Sequence, residues 1–220
     1  MPSETQLNLV GYRGELVPNT LIRQDEPATG AAIFLPGFGY SCDMPLFYYA
    51  QLLLFAHGLD LLRIDYVYNR VPGFRELPAP ERRDWLLADA RAALQAVLEQ
   101  QHYQQLIFVG KSVSTRTMGH LLTEESLRPA VRAVWLTPLV GDATLRQQLR
   151  QIAVPSLTVI GSMDPGFDAD YLQELEQSFG HTLVVIPDGD HSLVIGLDAL
   201  ASIRAVKHVM TALDSFVQGA

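Results

Sequence analysis

The stretch Leu106-Ile-Phe-Val-Gly-Lys-Ser-Val-Ser-Thr-Arg-Thr-Met-Gly-His120 decides the fold of this chain. It opens with four apolar residues, two of them β-branched, which is typical of a buried strand, and a helix-compatible run begins directly after Ser112. A serine at such a corner belongs to the pattern G-x-S-x-G, which exposes its hydroxyl at the end of the strand. Here the pattern reads Gly110-Lys-Ser-Val-Ser114, with serine as its last residue. That position must be small because strand and helix approach closely, and serine is small enough to fit.

The same letters admit two other interpretations. Gly-Lys-Ser also ends the phosphate-binding loop G-x-x-x-x-G-K-[ST], which requires a glycine five positions before Gly110. That position is Gln105, and residues 106–109 resemble a strand rather than a glycine-rich loop. We therefore set nucleotide hydrolysis aside. A serine that only caps the following helix remains open as the alternative.

Composition restricts the class of protein. The chain has 220 residues, enough for one α/β domain over residues 1–220. Its net charge of −8, without a basic run, argues against nucleic acid or an anionic membrane as a partner. No apolar run approaches the ~18 residues of a membrane span, and residues 1–7 do not resemble a signal peptide. The single Cys42 excludes an internal disulfide and fits a reducing compartment. We therefore expect a soluble cytoplasmic protein.

Strands and helices are predicted to alternate along most of the chain. The predicted strands are residues 6–10, 20–23, 31–35, 59–66, 106–109, 133–136, 156–160 and 182–186. The predicted helices are residues 44–56, 81–100, a helix after Ser112, residues 144–151, a helix with Tyr171, Leu175 and Phe179 on one face and Gly180 beyond its end, and residues 197–217 with Leu200, Val209 and Leu213 inward. Such alternation implies right-handed crossovers and a parallel sheet covered on both faces. Ligands bind such sheets at the carboxyl ends of the strands.

Polar side chains follow three of the predicted strands. Ser112 follows one strand, Asp164 the strand that ends near residue 160, and His191 the last strand. A histidine here can accept the serine proton as general base, and a carboxylate can hold its tautomer. An Asp that caps a turn before proline is the alternative for Asp164, and Asp168 resembles a helix N-cap. The other histidines, at positions 57, 102, 120, 181 and 208, are interpreted as surface or interfacial residues.

A glycine-rich loop, Pro36-Gly-Phe38-Gly-Tyr40, follows the strand at residues 31–35. We expect it to turn the N–H of Phe38 toward the space that the N–H of Val113 faces. Two such donors stabilise the negative oxygen of a tetrahedral intermediate. The glycines also suit any tight strand-to-helix loop, so that they are weak evidence alone.

These pieces together resemble the α/β-hydrolase superfamily, from about Ala31 to the C-terminus. The matching motifs are Leu35-Pro-Gly-Phe-Gly, Gly110-Lys-Ser-Val-Ser and Asp188-Gly-Asp-His-Ser, with nucleophile, acid and base in that family's order. The similarity is closest to small members without a lid, the dienelactone-hydrolase-like and carboxylesterase-like groups. It implies a three-layer α/β/α sandwich with a mainly parallel sheet of about eight strands, no cap domain, and no metal or organic cofactor. Pro36 and Ser114 depart from residues common in the family.

The surroundings of the serine suggest candidates for substrate contact. Tyr40, Phe74 and Lys111 are those candidates, with core packing an equally good interpretation for the two aromatic residues. Lys111 is expected in solvent beside the serine or paired with Asp43 or Asp188. As a hypothesis, it favours an anionic substrate, although ordinary surface solvation explains it as well.

Two functions are consistent with this sequence. The first is a serine hydrolase that cleaves a small carboxylic ester or thioester through an acyl-enzyme, with Ser112, His191 and Asp164 as triad and the N–H groups of Phe38 and Val113 as oxyanion donors. Only residues 137–154 separate the strands where many relatives carry a lid, so that we expect an open site. The second is a catalytically silent hydrolase fold used for binding.

Overall fold

The computed structural model describes residues 3–124, 127 and 129–219. Within these residues eight strands form one sheet in the order β1-β2-β4-β3-β5-β6-β7-β8. The strands are β1 (Ser3–Thr5), β2 (Asn19–Arg23), β3 (Gly30–Leu35), β4 (Leu59–Ile64), β5 (Gln105–Lys111), β6 (Ala130–Leu136), β7 (Ser156–Gly161) and β8 (His181–Ile186). The helices are α1 (Pro45–Ala56), α2 (Ala79–Gln100), α3 (Val113–Glu124), α4 (Ala143–Gln151), α5 (Ala169–Phe179) and α6 (Ala199–Gln218).

The connections of the sheet place a crevice beside β3. Strands β1 and β2 pair antiparallel, β2 pairs antiparallel with β4, and all other pairs are parallel. The chain leaves β3 toward β4 on one side and then crosses to β5 on the other side. Ligands bind at such a reversal of direction in α/β sheets. The loop after β3 and the residue after β5, Ser112, meet at this point.

Helices cover both faces of the sheet. Helices α1 and α6 contact each other on one face, while α2, α3, α4 and α5 form a row of neighbours on the other. Because strand side chains alternate, Ile33 and Leu35 pack into the core on the α2–α5 side, and Ala32 and Phe34 pack into the core beneath α1 and α6. This is the predicted three-layer α/β/α sandwich. Only α4 and its turns lie between β6 and β7, so that no cap domain covers the sheet there.

Capping residues explain where three helices begin. Asp142, Asp168 and Asp198 each accept a hydrogen bond from a backbone N–H in the first turn of α4, α5 and α6, respectively. The prediction of Asp168 as an N-cap is thereby confirmed. Gly180 ends α5 with a φ of 70°, a left-handed conformation that glycine adopts without a steric penalty.

The predicted strand over residues 6–10 is wrong. The edge strand is β1, and within residues 6–10 only Val10 takes part in an isolated bridge, with Leu16. A side chain replaces the missing strand partner: Asn19 accepts a hydrogen bond from the N–H of Leu7 and donates one to its carbonyl. Leu9 is buried as the alternating pattern requires, so that the pattern indicated burial correctly but not strand pairing.

Two helix faces also differ from prediction. In α6, Val209 and Leu213 are buried, but Leu200 is 67 % exposed because the buried face runs through Ala205, four residues before Val209. In α5, Phe179 lies in the last turn and is 37 % exposed. The other predicted elements match observed ones with small shifts at their ends. None of the helices in the described part of the chain has the length and apolar character needed to cross a bilayer.

Candidate active site

Ser112 occupies a sharp corner between β5 and α3. Its φ of 55° lies in the left-handed region, which is strained for a residue with a side chain. The corner is held by a 3.0 Å hydrogen bond from Ser112 N to the carbonyl of Leu136 and a 2.6 Å bond from Thr115 Oγ1 to the carbonyl of Ser112. A Cβ on Gly110 would lie 2.1 Å from Met118 Sδ, so that glycine permits the close contact between strand and helix. The corner has the strand–turn–helix geometry that the predicted nucleophile elbow requires.

The predicted triad residue His191 lies within hydrogen-bond distance of both other predicted triad side chains. His191 Nε2 is 2.8 Å from Ser112 Oγ, and His191 Nδ1 is 2.6 Å from Asp164 Oδ2. With the Nδ1 proton donated to the carboxylate, Nε2 carries the lone pair that faces the serine hydroxyl. The arrangement therefore has an acceptor for the serine proton and a group that fixes the tautomer of that acceptor.

The carboxylate of Asp164 is held in its ionised form. Its side chain is only 2 % exposed, and burial by itself would raise its pKa. Hydrogen bonds from His191 and from the Gly166 N–H, at 2.8 Å to Oδ1, together with the electrostatic effects of His191 and Lys111, outweigh burial. The pKa of Asp164 consequently lies below its ordinary value. An ionised carboxylate here would stabilise an imidazolium on His191.

The loops that carry Asp164 and His191 are tied to each other. A Cβ on Gly161 would lie 2.0 Å from the carbonyl oxygen of Gly189, so that only glycine allows these two backbones to approach as they do. The Met163 N–H donates to the same carbonyl at 2.9 Å. The distance between acid and base therefore depends on backbone contacts as well as on the side chains themselves.

The loop after β3 lies directly against Ser112. A Cβ on Gly37 would lie 3.6 Å from Ser112 Cβ. The Gly37 N–H donates to the carbonyl of Tyr40 at 2.9 Å, and the carbonyl of Phe38 accepts from the Asn69 N–H at 2.8 Å. The hydrogen bonds of the described residues include none donated by the N–H of Phe38 or Val113. Both N–H groups thus remain available beside Ser112.

Ser114, at the position where the pattern has glycine, is buried and its hydroxyl donates a hydrogen bond to the carbonyl of Pro36. The two residues that depart from common family residues are therefore bonded to each other. This hydrogen bond joins the first turn of α3 to the loop that carries Phe38, so that Ser114 both fits the narrow space and restrains this loop.

The expectation that Lys111 lies in solvent or pairs with Asp43 or Asp188 is wrong. The side chain is 1 % exposed, and neither Asp43 nor Asp188 is its partner. Its Nζ donates to Thr137 Oγ1 at 2.6 Å and to the backbone carbonyl of His191 at 2.7 Å. Burial lowers the pKa of Lys111 from 10.5 to about 8, against the opposing effect of nearby carboxylates. The alternation of β5 places Lys111 on the opposite side of the strand from Gly110, where the loop that follows β8 covers it.

The two aromatic candidates lie in different places. Phe74 is buried and lines a cavity of about 310 Å³ that also contains Ser112, Phe38 and Val113. Tyr40 lines a separate apolar groove between α1 and α6, and its hydroxyl accepts a hydrogen bond from the Leu46 N–H. Burial raises the pKa of Tyr40 to about 12. Phe74 lines the cavity of Ser112, whereas Tyr40 does not. A role in substrate contact remains a prediction for both residues.

Two other reactive side chains are accounted for by the core. Cys42 is buried, its Sγ donates to the carbonyl of Ile64, and burial raises the pKa of its thiol, which fits the interpretation as a small apolar residue. The interpretation of His181 as a surface or interfacial residue is wrong. Its ring is buried 2.9 Å from Thr158 Oγ1, and burial lowers its pKa to about 4.

Residue-by-residue reading of the sequence missed two arginines of the cavity. Arg82 and Arg83 lie near the start of α2 and line the cavity together with Arg116 of α3. Their position in the sequence could have indicated them, because the positive end of the helix dipole makes the first turn of a helix unfavourable for cations. Helix stability alone does not favour two adjacent arginines near a helix N-terminus.

Solved structures share this fold. A putative α/β hydrolase from Agrobacterium tumefaciens superposes with a TM-score of 0.71 at 18 % identity, covering 99 % of this chain and 97 % of that chain. A serine α/β hydrolase without a lid from Xanthomonas campestris gives 0.68 at 20 % identity, covering 99 % and 94 %. A dienelactone hydrolase from Anabaena variabilis gives 0.70 at 19 % identity, covering 96 % of each chain. None of the curated proteins matches the chain.

At these identities the likeness establishes the fold. The family is shown by a sequence model for the α/β hydrolase domain, which matches residues 29–218. The matched range begins just before β3 and ends with α6, so that it includes the loop after β3, the corner at Ser112, and the loops that carry Asp164 and His191. This chain belongs to the α/β-hydrolase domain family.

Proposed function

We propose that the protein is a serine hydrolase that cleaves a small carboxylic ester or thioester. The observation that carries the proposal is the pair of hydrogen bonds that join Ser112, His191 and Asp164, at 2.8 and 2.6 Å. A serine that only capped α3 would not require a histidine on its hydroxyl or a buried carboxylate behind that histidine. The strained backbone at Ser112 adds support, since strain of this kind is concentrated at functional sites.

The chemistry proceeds in two stages. Ser112 Oγ attacks the carbonyl carbon while its proton passes to His191 Nε2, and the N–H groups of Phe38 and Val113 hold the negative oxygen. His191 returns that proton to the leaving alcohol or thiol, which leaves an acyl group on Ser112. A water molecule, deprotonated by His191, then attacks the acyl-enzyme and restores the serine. Asp164 keeps the imidazole in position throughout.

The size and access of the site support a small substrate. The cavity beside Ser112 has a volume of about 310 Å³, and apolar side chains from the loop after β3, α2 and the segment after β6 make up much of its wall. His191 is 36 % exposed, so that water can reach the acyl-enzyme. The distinction between hydrolysis and acyl transfer to another acceptor depends on which nucleophile enters this open site.

Covalent labelling tests the proposal. Intact mass after treatment with a fluorophosphonate should show a single adduct on the wild type and none on Ser112→Ala. Ser215→Ala, which removes an exposed hydroxyl of α6, is the matched control and should be labelled like the wild type. With a panel of small esters and thioesters, Ser112→Ala should lower kcat by about 10³-fold or more.

The alternative of a silent fold used for binding predicts a different result. Folded wild-type protein would then give no adduct, and Ser112→Ala would behave like the wild type with every ester. Either observation on protein with a native circular dichroism spectrum would reject the hydrolase proposal.

A further inference from the structure

The charge of the cavity beside Ser112 is opposite to the charge of the protein. The chain carries a net charge of −8, yet this cavity is lined by Arg82, Arg83 and Arg116, and no carboxylate is among its described lining residues. We propose that the cavity binds an ester or thioester that carries a carboxylate, and that Arg82 is the residue that recognises this carboxylate. The inference rests on the proposed function, because it names the substrate class of the same site.

The three guanidinium groups differ in what they already bind. Arg116 Nε lies 2.9 Å from Asp142 Oδ2, and Arg83 pairs with its neighbour Asp84 at 3.0 Å. Among the described residues, none forms a hydrogen bond or ion pair with the side chain of Arg82. Among the described residues, Arg82 is therefore the guanidinium of the cavity that has all of its donors available to a ligand.

The position of Arg82 in α2 is unfavourable unless something compensates for it. The helix begins at Ala79, and the Arg82 N–H donates to the carbonyl of Pro78 in the first turn. A cation here faces the positive end of the helix dipole, which is unfavourable, and the one acidic residue of this first turn is Glu81. An anion bound in the cavity would interact favourably with the guanidinium and with the helix end at once. Binding of an anion would therefore explain an arginine at a position where helix stability does not favour one.

The chemistry of the cavity favours one carboxylate over a larger or more highly charged group. One guanidinium with unused donors can hold one carboxylate through two parallel hydrogen bonds. Phe38, Phe74 and Leu86 provide apolar wall in the cavity that Arg82 and Ser112 both line, which suits a short carbon skeleton between the carboxylate and the ester. The volume of about 310 Å³ limits that skeleton to roughly the size of one aromatic ring with its substituents.

Matched substrates isolate the effect of the negative charge. On the alcohol side of the ester the pair is 4-acetoxybenzoate and 4-acetoxybenzamide, and on the acyl side it is the phenyl monoester of terephthalic acid and phenyl 4-carbamoylbenzoate. Each pair exchanges a carboxylate for an amide of the same shape. The rings prevent the carboxylate from attacking its own ester. A preference in one pair shows on which side of the scissile bond the carboxylate is bound.

The measured quantity is the ratio of kcat/KM for the anionic and the neutral member of a pair. We expect wild-type protein to favour the anionic ester of one pair, and Arg82→Gln to lower that ratio about tenfold or more. Arg82→Lys should lower it less, because the charge remains while the paired donors are lost. Arg204→Gln changes the net charge equally at an exposed site of α6 outside the cavity and should leave the ratio unchanged. Sodium chloride at 0.5 M should reduce the preference.

A binding measurement separates this proposal from the proposed function. Ser112→Ala should bind 4-acetoxybenzoate at least several-fold more tightly than 4-acetoxybenzamide in calorimetry, and the double variant with Arg82→Gln should not. If the wild type is labelled by fluorophosphonate but shows no anionic preference in either pair, or if Arg82→Gln retains the preference, the carboxylate site is refuted and the hydrolase stands. If there is no labelling but Arg82-dependent anion binding persists, the carboxylate site is supported and the hydrolase is refuted. Failure of both measurements overturns both proposals.

Discussion

Replacement of Lys111 by methionine should change the stability of the protein in a way that depends on pH. The ammonium group is buried and donates to Thr137 Oγ1 and to the carbonyl of His191. Its pKa is about 8 in the folded protein, against 10.5 for the ordinary side chain, because burial disfavours the charged form. Methionine fills a similar volume without a charge or a donor.

The sign and size of the effect follow from these two pKa values. Between pH 8 and pH 10.5 the unfolded chain holds a proton on Lys111 that the folded protein has released, so that wild-type stability rises with pH in this window. From pH 7 to pH 10 the gain is about 2–3 kcal/mol. Lys111→Met lacks this gain, and its loss of two hydrogen bonds is the same at both pH values. The variant should therefore be more destabilised, relative to wild type, at pH 10 than at pH 7 by about 2–3 kcal/mol.

Urea denaturation of both proteins at pH 7, 8, 9 and 10 measures this difference, since other titrating groups contribute equally to wild type and variant. Lys207→Met, which removes the other lysine of the chain from the exposed surface of α6, serves as the control and should give a constant difference. A constant difference for Lys111→Met as well, or one that falls as pH rises, would refute the reasoning that burial disfavours the charged ammonium.

Three further substitutions test other parts of the structure. Gly161→Ala should lower stability by more than about 2 kcal/mol in urea denaturation and reduce kcat/KM, because the new methyl group would clash with the carbonyl of Gly189. Unchanged stability would contradict the close approach of the loops that carry Asp164 and His191. His181→Gln should make the stability less sensitive to acid: between pH 7 and pH 4.5 the wild type should lose about 2 kcal/mol of unfolding free energy relative to the variant. The reason is that the unfolded chain takes up a proton in this range, whereas the buried ring, with its pKa of about 4, does not. Parallel curves of stability against pH for the two proteins would contradict this. Ser114→Ala should lower the free energy of unfolding by about 1 kcal/mol and kcat several-fold. The reason is that the carbonyl of Pro36 loses its hydrogen-bond donor and the predicted oxyanion loop loses a restraint. An unchanged kcat would show that the hydroxyl of Ser114 only fills space.

The order of strands and helices, and the places where polar residues follow the strands, could be predicted from local sequence patterns. Short apolar runs ending in glycine or polar residues marked the six parallel strands, because strands covered by helices on both faces must be apolar throughout. Since parallel strands end at the same edge, the positions of Ser112, Asp164 and His191 directly after three strands predicted that they lie together. Their hydrogen-bond distances are consistent with that prediction.

Tertiary structure decided what depends on contacts between segments distant in sequence. Lys111 resembles a surface residue in the sequence, and it is buried because the loop after β8, Thr137 and the ring of Tyr40 surround it at the end of β5. The arginines of α2 line the cavity of Ser112 because α2 packs beside α3, a contact that local periodicity does not specify. The backbone of Leu7 is bonded to the side chain of Asn19 and not to a strand, and this contact between residues twelve positions apart is also not specified by local periodicity. Local patterns report which side of an element is apolar, whereas the environment of a charged or polar group is set by the segment that packs against it.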